Sequence, residues 1–355
     1  MSGKEPTRAI RILVVEDSRV AAELLTHVLN DDRRLRVLGV AVNGEEAFEA
    51  AQRLKPDVIT MDIHMPKVNG FDATRKIMET CPTPIVIVSG CDSVDEVATT
   101  FRAMEAGALA VVRRPVGMGH PDHEPAARQL VDTLALMSEV KVIKRWPRSG
   151  CVTERAAGLF EPQSAARAVQ AVAIGASTGG PLALQVILAA LPKDFSVPVL
   201  IVQHMTPGFT EGFVEWLTHT TGFPTRIATD GEALLPGHAY VAPDDTHLGI
   251  RPRQRALLTR DSKENGMRPA VSFLFRSVES VLGRDVIGVL LTGMGRDGAE
   301  ELTRLRAAGA LTIAQDEQSS VVHGMPGEAI NMGGASHVLP PKDIATTLAM
   351  MATRP

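Results

Sequence analysis

Two sets of polar side chains stand at the ends of short apolar runs, and their types suggest two separate chemistries. In the first set Glu16 and Asp17 follow Ile10–Val15, Asp62 follows Asp57–Met61, Ser89 follows Ile85–Val88, and Arg114-Pro115 comes just after Leu109–Val112. Carboxylates gathered on one edge repel each other unless a hard cation sits among them. Mg²⁺ takes such oxygen ligands and keeps positions for water and phosphoryl oxygens. A hydroxyl at Ser89 and a cation at Arg114 would then steady a phosphoryl group carried on Asp62. One acid at a strand end is usually a surface residue or a helix cap, but groups in register on successive strands point to a site.

The second set is a serine, a histidine and an aspartate. Gly175-Ala176-Ser177-Thr178-Gly179 fits G-x-S-x-G, whose glycines permit a sharp turn that exposes a hydroxyl. A helix starting there offers unpaired N–H groups and a positive dipole end to an oxyanion. Alone, the turn is equally open to two other readings, close helix–strand packing or a phosphate cradle, although Walker A and the Rossmann glycine pattern are both absent. Val199–Gln203 runs into His204, and Val289–Thr292 into Gly293-Met294-Gly295-Arg296-Asp297-Gly298. A serine needs a base to take its proton, and an imidazole needs a third group to fix its tautomer. The glycines around Met294 and Asp297 let backbone amides approach a reacting carbonyl.

Positioning these groups requires parallel sheets. Strand-like and helix-like signals alternate through residue 115 with short connections, which predicts a parallel sheet with helices on both faces. Breakers at Gly117–Pro125 precede helical spacing over Ala126–Lys144, and Pro147–Ala166 lacks periodicity. Residues 8–120 therefore read as one domain, 121–167 as a helix and linker, and 168–355 as a second domain. The basic cluster Lys141, Lys144, Arg145 and Arg148 reads as a solvated helix end. A second α/β series starts at Ala171–Ala176 and carries a hairpin or meander between Tyr240 and Thr259 before Val271–Val281 begins a further helix. The fold class expected is α/β, with two doubly wound parallel-sheet domains, flavodoxin-like then Rossmann-like, the latter with a small antiparallel hairpin.

These residues carry two resemblances. Around Asp62, MDIHMPKVNGFD resembles the receiver domain of two-component response regulators over roughly 10–120. The likeness implies that Asp62 is the phospho-acceptor, Glu16 and Asp17 the metal-binding acids with Mg²⁺ as cofactor, and Ser89 the switch hydroxyl. Arg114 stands where that family has lysine, exchanging a point charge for a planar fork, and Val111 stands where it usually has an aromatic residue. GASTGGP, VQHMTPGFT, APDDTHL, RPAVSFLFRSV, LTGMGRDGAE and IAQDEQSSVVHGMPGEA resemble the CheB-type methylesterase domain of bacterial chemotaxis over about 170–350, with His323 where a tyrosine is common. That likeness implies Ser177 as nucleophile, His204 as general base and Asp297 as the orienting acid, with the oxyanion held by amides near Thr178 and Met294. It also implies hydrolysis of glutamate γ-methyl esters on methyl-accepting receptors, often with glutamine deamidation, without a cofactor for that step. An unphosphorylated receiver would inhibit, and a sensor histidine kinase would supply the phosphoryl group. The rival expectation is a non-enzymatic signalling scaffold whose receiver controls partner binding.

Composition narrows the classes. The chain has 355 residues, 45% apolar and 22% charged, with a net charge of −4. That balance excludes disorder along its whole length and a protein that coats nucleic acid, and no basic helix-turn-helix follows the linker. Apolar runs are strand-sized, so no membrane insertion is expected. Cys81, Cys91 and Cys151 make no disulfide framework, and the first residues lack a signal-peptide core, which points to a cytoplasmic protein.

Overall fold

The computed structural model describes residues 8–90, 94–140, 142 and 169–352. Contacts divide the chain into two units, Met1–Leu159 and Phe160–Pro355. In the first unit β1 (Ile10–Val15), α1 (Arg19–Asp31), β2 (Leu35–Ala41), α2 (Gly44–Leu54), β3 (Val58–Met61), α3 (Gly70–Thr80), β4 (Ile85–Ser89), α4 (Val94–Glu105), β5 (Ala110–Arg113) and α5 (His123–Ser138) follow one another. The strands form one parallel sheet in the order β2-β1-β3-β4-β5. Wholly buried strands such as Val58–Met61 fill its centre. The helices start where short polar side chains take up their free amides: Ser18 Oγ accepts from Ala21 N, Asn43 Oδ1 from Glu45 N and Glu46 N, and Asn69 Oδ1 from Asp72 N. α5, which the sequence reading assigned to the connecting segment, packs on β4 and β5. The basic cluster, the Pro147–Ala166 stretch, Cys91 and Cys151 lie outside the described residues.

The second unit contains β6 (Ala171–Ala176), α6 (Gly180–Ala190), β7 (Val199–Gln203), α7 (Thr210–Thr221), β8 (Thr225–Ile227), β9 (Ala239–Val241), β10 (His247–Arg251), β11 (Arg255–Thr259), α8 (Val271–Leu282), β12 (Val286–Leu290), α9 (Ala299–Ala307), β13 (Leu311–Gln315), α10 (Met325–Asn331), β14 (His337–Leu339) and α11 (Pro341–Ala352). Its sheet runs β14-β13-β12-β6-β7-β9-β8, every neighbouring pair parallel. α6, α7 and α11 pack side by side; α8, α9 and α10 make another layer against β6, β12 and β13. β10 and β11 form the antiparallel hairpin, which leans on α8. Tyr240 and Val241 belong not to that hairpin but to β9, a buried strand paired with β7.

One packing detail sets up the site. A Cβ on Gly175 would lie 2.2 Å from Val271 Cγ1, and one on Gly298 would lie 2.4 Å from the same atom. Both positions must be bare for the first residue of α8 to reach the end of β6. Among the described residues no helix is long and apolar enough to cross a membrane.

Candidate active site

In the second sheet β12, β6 and β7 are adjacent, so the turns carrying Asp297, Ser177 and His204 emerge side by side. The sheet's direction of winding reverses here, the usual place for a site in an open parallel sheet. Backbone bonds extend the pairing past the strands: Ser177 N donates to Thr292 O at 3.0 Å and His204 N to Ala176 O at 2.9 Å. The buried Gln203 adds a clamp, its Nε2 donating to Ser177 O and to His204 O, each at 2.8 Å.

His204 Nε2 lies 2.9 Å from Asp297 Oδ2, with side chains only 8% and 5% exposed. Asp297 Oδ2 also accepts from Val271 N at 2.7 Å, and Oδ1 accepts from Ser272 N at 3.1 Å and Asn265 Nδ2 at 3.0 Å. α8 has no side-chain cap of its own. Asp297 serves in that place, at the positive end of the helix dipole. Burial alone would push its carboxyl up, but the hydrogen bond and charge of His204, with the donors from Ser272 and Val271, outweigh it and hold the group well below the usual carboxylate range. The remaining ring nitrogen, His204 Nδ1, is buried and has no partner among the described residues.

Ser177 and Thr178 are half-buried, and Met294 is 55% exposed. Gly293 packs directly against the serine: a Cβ there would lie 2.6 Å from Ser177 Cβ and 2.5 Å from Met325 Sδ. Gly179, at φ 79°, turns the chain into α6. The amides of Thr178 and Met294 donate no hydrogen bond to protein among the described residues, so they are open to an oxyanion. His323 pairs its backbone with Gly293, and its Nε2 lies 3.3 Å from Gln315 O.

In the first sheet β1 and β3 are neighbours, with β4 and β5 beyond β3. Glu16, Asp17 and Asp62 offer carboxylate oxygens within 4.8 Å of one another. Burial first, then the charge of Asp62, pushes Glu16 up against the opposing pull of Arg114. Burial also pushes Asp62 up, despite donors from His64 N and Ile63 N and the charge of Arg114, and Asp17 adds to the push. Crowded carboxyls held short of comfortable ionisation fit a divalent cation, which would relieve both burial and repulsion. Ser89 is buried at the end of β4, where its carbonyl accepts from Arg114 N at 2.8 Å. The Arg114 guanidinium crosses Gly90, where a Cβ would meet Nη2 at 2.2 Å, and donates to Glu16 Oε2 at 2.9 Å. Val111 lies half-buried in β5.

The candidate site residues Glu16, Asp17, Asp62, Ser89, Arg114, Ser177, Thr178, His204, Met294 and Asp297 thus stand at or just beyond the carboxyl ends of strands in the two sheets. Gln203, Ser272 and Asn265 were not singled out as site residues. Adjacency to His204 is the one signal Gln203 carries, and Ser272 sits inside RPAVSFLFRSV with nothing in its spacing to mark it.

Comparison with known proteins agrees with this geometry. The family model described as "CheB methylesterase" matches residues 172–348, and "Response regulator receiver domain" matches residues 12–120. A protein-glutamate methylesterase/protein-glutamine glutaminase of Nitrosospira multiformis is 54% identical over 340 residues, 96% of each chain. A like-named protein of Geobacter metallireducens is 54% identical over 344 residues, 97% of this chain and 99% of its own. Among solved structures, the Thermotoga maritima CheB methylesterase catalytic domain is 39% identical, covers 51% of this chain and 98% of its own, and superposes with a TM-score of 0.50. With two parallel-sheet units, a receiver match followed by a methylesterase match, and relatives aligned over nearly the full length, the chain belongs to the CheB family of response-regulator protein-glutamate methylesterases.

Proposed function

We propose that this chain is a phosphorylation-activated serine esterase that hydrolyses glutamate γ-methyl esters on methyl-accepting chemotaxis receptors and deamidates receptor glutamines. The observation that carries the reading is the His204–Asp297 pair, 2.9 Å apart and buried beside Ser177 on three adjacent strand ends. Asp297 occupies Nε2 and leaves Nδ1 as the nitrogen for the serine proton. Ser177 Oγ attacks the ester carbonyl while His204 Nδ1 takes the hydroxyl proton; the oxyanion is held by the amides of Thr178 and Met294. His204 then gives that proton to the departing methoxide, methanol leaves, and an acyl-enzyme remains. Water, deprotonated by the same ring, attacks the acyl carbon and releases glutamate with the serine restored. On a glutamine the leaving group is ammonia and the rest is unchanged.

In the receiver, Glu16, Asp17 and Asp62 would hold Mg²⁺, whose chemistry is to neutralise the phosphoryl oxygens during transfer to Asp62. Ser89 and Arg114 stand at the same edge as phosphoryl contacts, with a sensor histidine kinase as donor and the cytoplasm as the compartment. The scaffold alternative is disfavoured by the intact trio and by relatives named as enzymes. Methanol release from methyl-labelled receptor membranes tests the reading: release by the parent chain and none by Ser177→Ala supports it. A Ser177→Ala chain as fast as the parent would sink it.

A further inference from the structure

RPAVSFLFRSV and the loop before it make contacts that the hydrolytic steps do not use. The segment between β11 and α8 is tied down along its length. Glu264 and Met267 exchange backbone hydrogen bonds, Arg268 Nη1 donates to the carbonyls of Arg260 and Asp261, and the buried His247 holds Ser262 O with Nε2 and Ala270 N with Nδ1. Arg276 pairs with Glu264 and with Glu301. At the tip Asn265 adopts the left-handed region, φ 50°, which asparagine tolerates better than most residues. From there its Nδ2 donates to Asp297 Oδ1 at 3.0 Å and to Ser272 Oγ at 3.2 Å. Ser272 Oγ donates to Glu301 Oε2 at 2.7 Å and accepts from Gly298 N at 3.1 Å, so the turn bearing Asp297 is gripped from both sides.

We propose that Asn265 is a positioning residue of the hydrolase: its carboxamide fixes the Asp297 carboxylate so that Oδ2, and not Oδ1, faces His204. The proposal rests on the esterase reading above. Asn265 and Ser272, which both donate to Asp297 Oδ1, line a polar cavity of about 320 Å³. Without the amide, water from that cavity would take its place on Oδ1, and the carboxylate would be held on that oxygen by Ser272 N alone. The ionisable groups facing this spot are His204 from the end of β7, Glu264 from the loop, Arg276 from α8 and Glu301 from α9. Arg296, Glu300 and Glu328 line the outer part of the cavity.

Two variants test this in the full chain. Asn265→Gly keeps the left-handed backbone and removes the donor. Asn265→Asp keeps size and backbone but sets an acid against Asp297. Each is expected to lower kcat for methanol release about 10- to 100-fold with KM within about twofold, the size of one hydrogen bond to a charged group. In Asn265→Asp the added negative charge favours the imidazolium, so the acid limb of the kcat/KM profile and the NMR titration of the His204 ring both move to higher pH. That shift follows from the charge alone, so orientation is read in the uncharged Asn265→Gly chain: a less firmly held Asp297 favours the imidazolium less and moves the ring titration to lower pH, whereas loss of a residue that merely braced the loop leaves it where it is. An Asn265→Gly chain whose ring titrates as in the parent overturns the proposal, as does one with kcat within about twofold of the parent. If the parent released no methanol the esterase reading would fail, while the ring titration would still decide whether Asn265 orients the pair.

Discussion

His204 Nε2, Val271 N, Ser272 N and Asn265 Nδ2 all donate to Asp297, and they give its two roles different sensitivities. Ser177→Ala is expected to cut methanol release by about 10⁴–10⁶ with the melting temperature unmoved, because the half-buried hydroxyl takes no part in a hydrogen bond among the described residues. His204→Ala should cost as much. Asp297→Ala should cost less in rate yet more in stability, since each buried donor left unpaired costs about 1–3 kcal/mol. The pH dependence of that loss has a definite sign. A carboxyl held below its ordinary range stabilises the fold above its unfolded value, near pH 4, and the contribution vanishes as pH falls through the lower folded value. The Tm difference between parent and Asp297→Ala should therefore be flat from about pH 5 to 8 and shrink below about pH 4; a difference that shrank near neutrality would contradict the assigned charge state. Ser177, His204 and Asp297 were legible in the sequence because each follows an apolar strand. Gln203 and Asn265 were not, since their partners are carbonyls and a carboxylate that only the folded turns bring to them.

Turns at strand ends, rather than the strands, decide what these sheets can do. In the second unit the decisive one is Gly293, and Gly293→Ala should push Ser177 aside. A Cβ would stand 2.6 Å from that residue's own Cβ, far inside van der Waals contact. Overpacking of this kind costs about 1–3 kcal/mol, and kcat should fall by tenfold or more while KM changes little. A Gly293→Ala chain with parental kcat would mean that the serine turn has slack. In the first unit the turns crowd Glu16, Asp17 and Asp62 together. A carboxyl pushed up costs stability above its folded value and nothing below its unfolded one. At neutral pH Mg²⁺ should thus raise Tm, and Asp62→Asn should raise Tm without Mg²⁺ while blunting the response to it. Equal Mg²⁺ responses in the two chains would remove Asp62 from the ligand set. Strands that are short apolar runs were readable, and Ile10–Val15 and Ala171–Ala176 emerge with the same ends in the structure. β8 and β14, three residues each, and the seven-residue α10 are too short to display a period. β9 was merged with the hairpin because its three buried residues carry no alternation of their own.

At the scale of the whole chain, the receiver controls catalysis directly if the phosphoryl state of Asp62 changes the rate at Ser177. A phosphoryl group shifts an equilibrium between inhibited and active forms by its differential effect on the two and by nothing else. Coupling of about 1–3 kcal/mol corresponds to roughly 5- to 150-fold activation. Acetyl phosphate with Mg²⁺ should therefore label Asp62 and raise methanol release within that range, and Asp62→Asn should remain at the basal rate under the same treatment. Two residues bear on the size of the response. Arg114 is already engaged with Glu16 at 2.9 Å, so a phosphoryl group on Asp62 that used Arg114 would have to draw it from that partner or share it, and Arg114→Lys should then alter the lifetime of the label. Val111 replaces the aromatic side chain through which receivers of this kind usually report the change, which places the expected activation toward the lower end. Deleting residues 1–150 separates inhibition from delivery. If the receiver restrains the esterase, the remaining chain should exceed the unphosphorylated full chain in solution with receptor in excess. A folded fragment no faster than the full chain would instead assign the receiver to bringing the enzyme to its receptors, and phosphorylation would then change KM on receptor membranes and leave kcat alone.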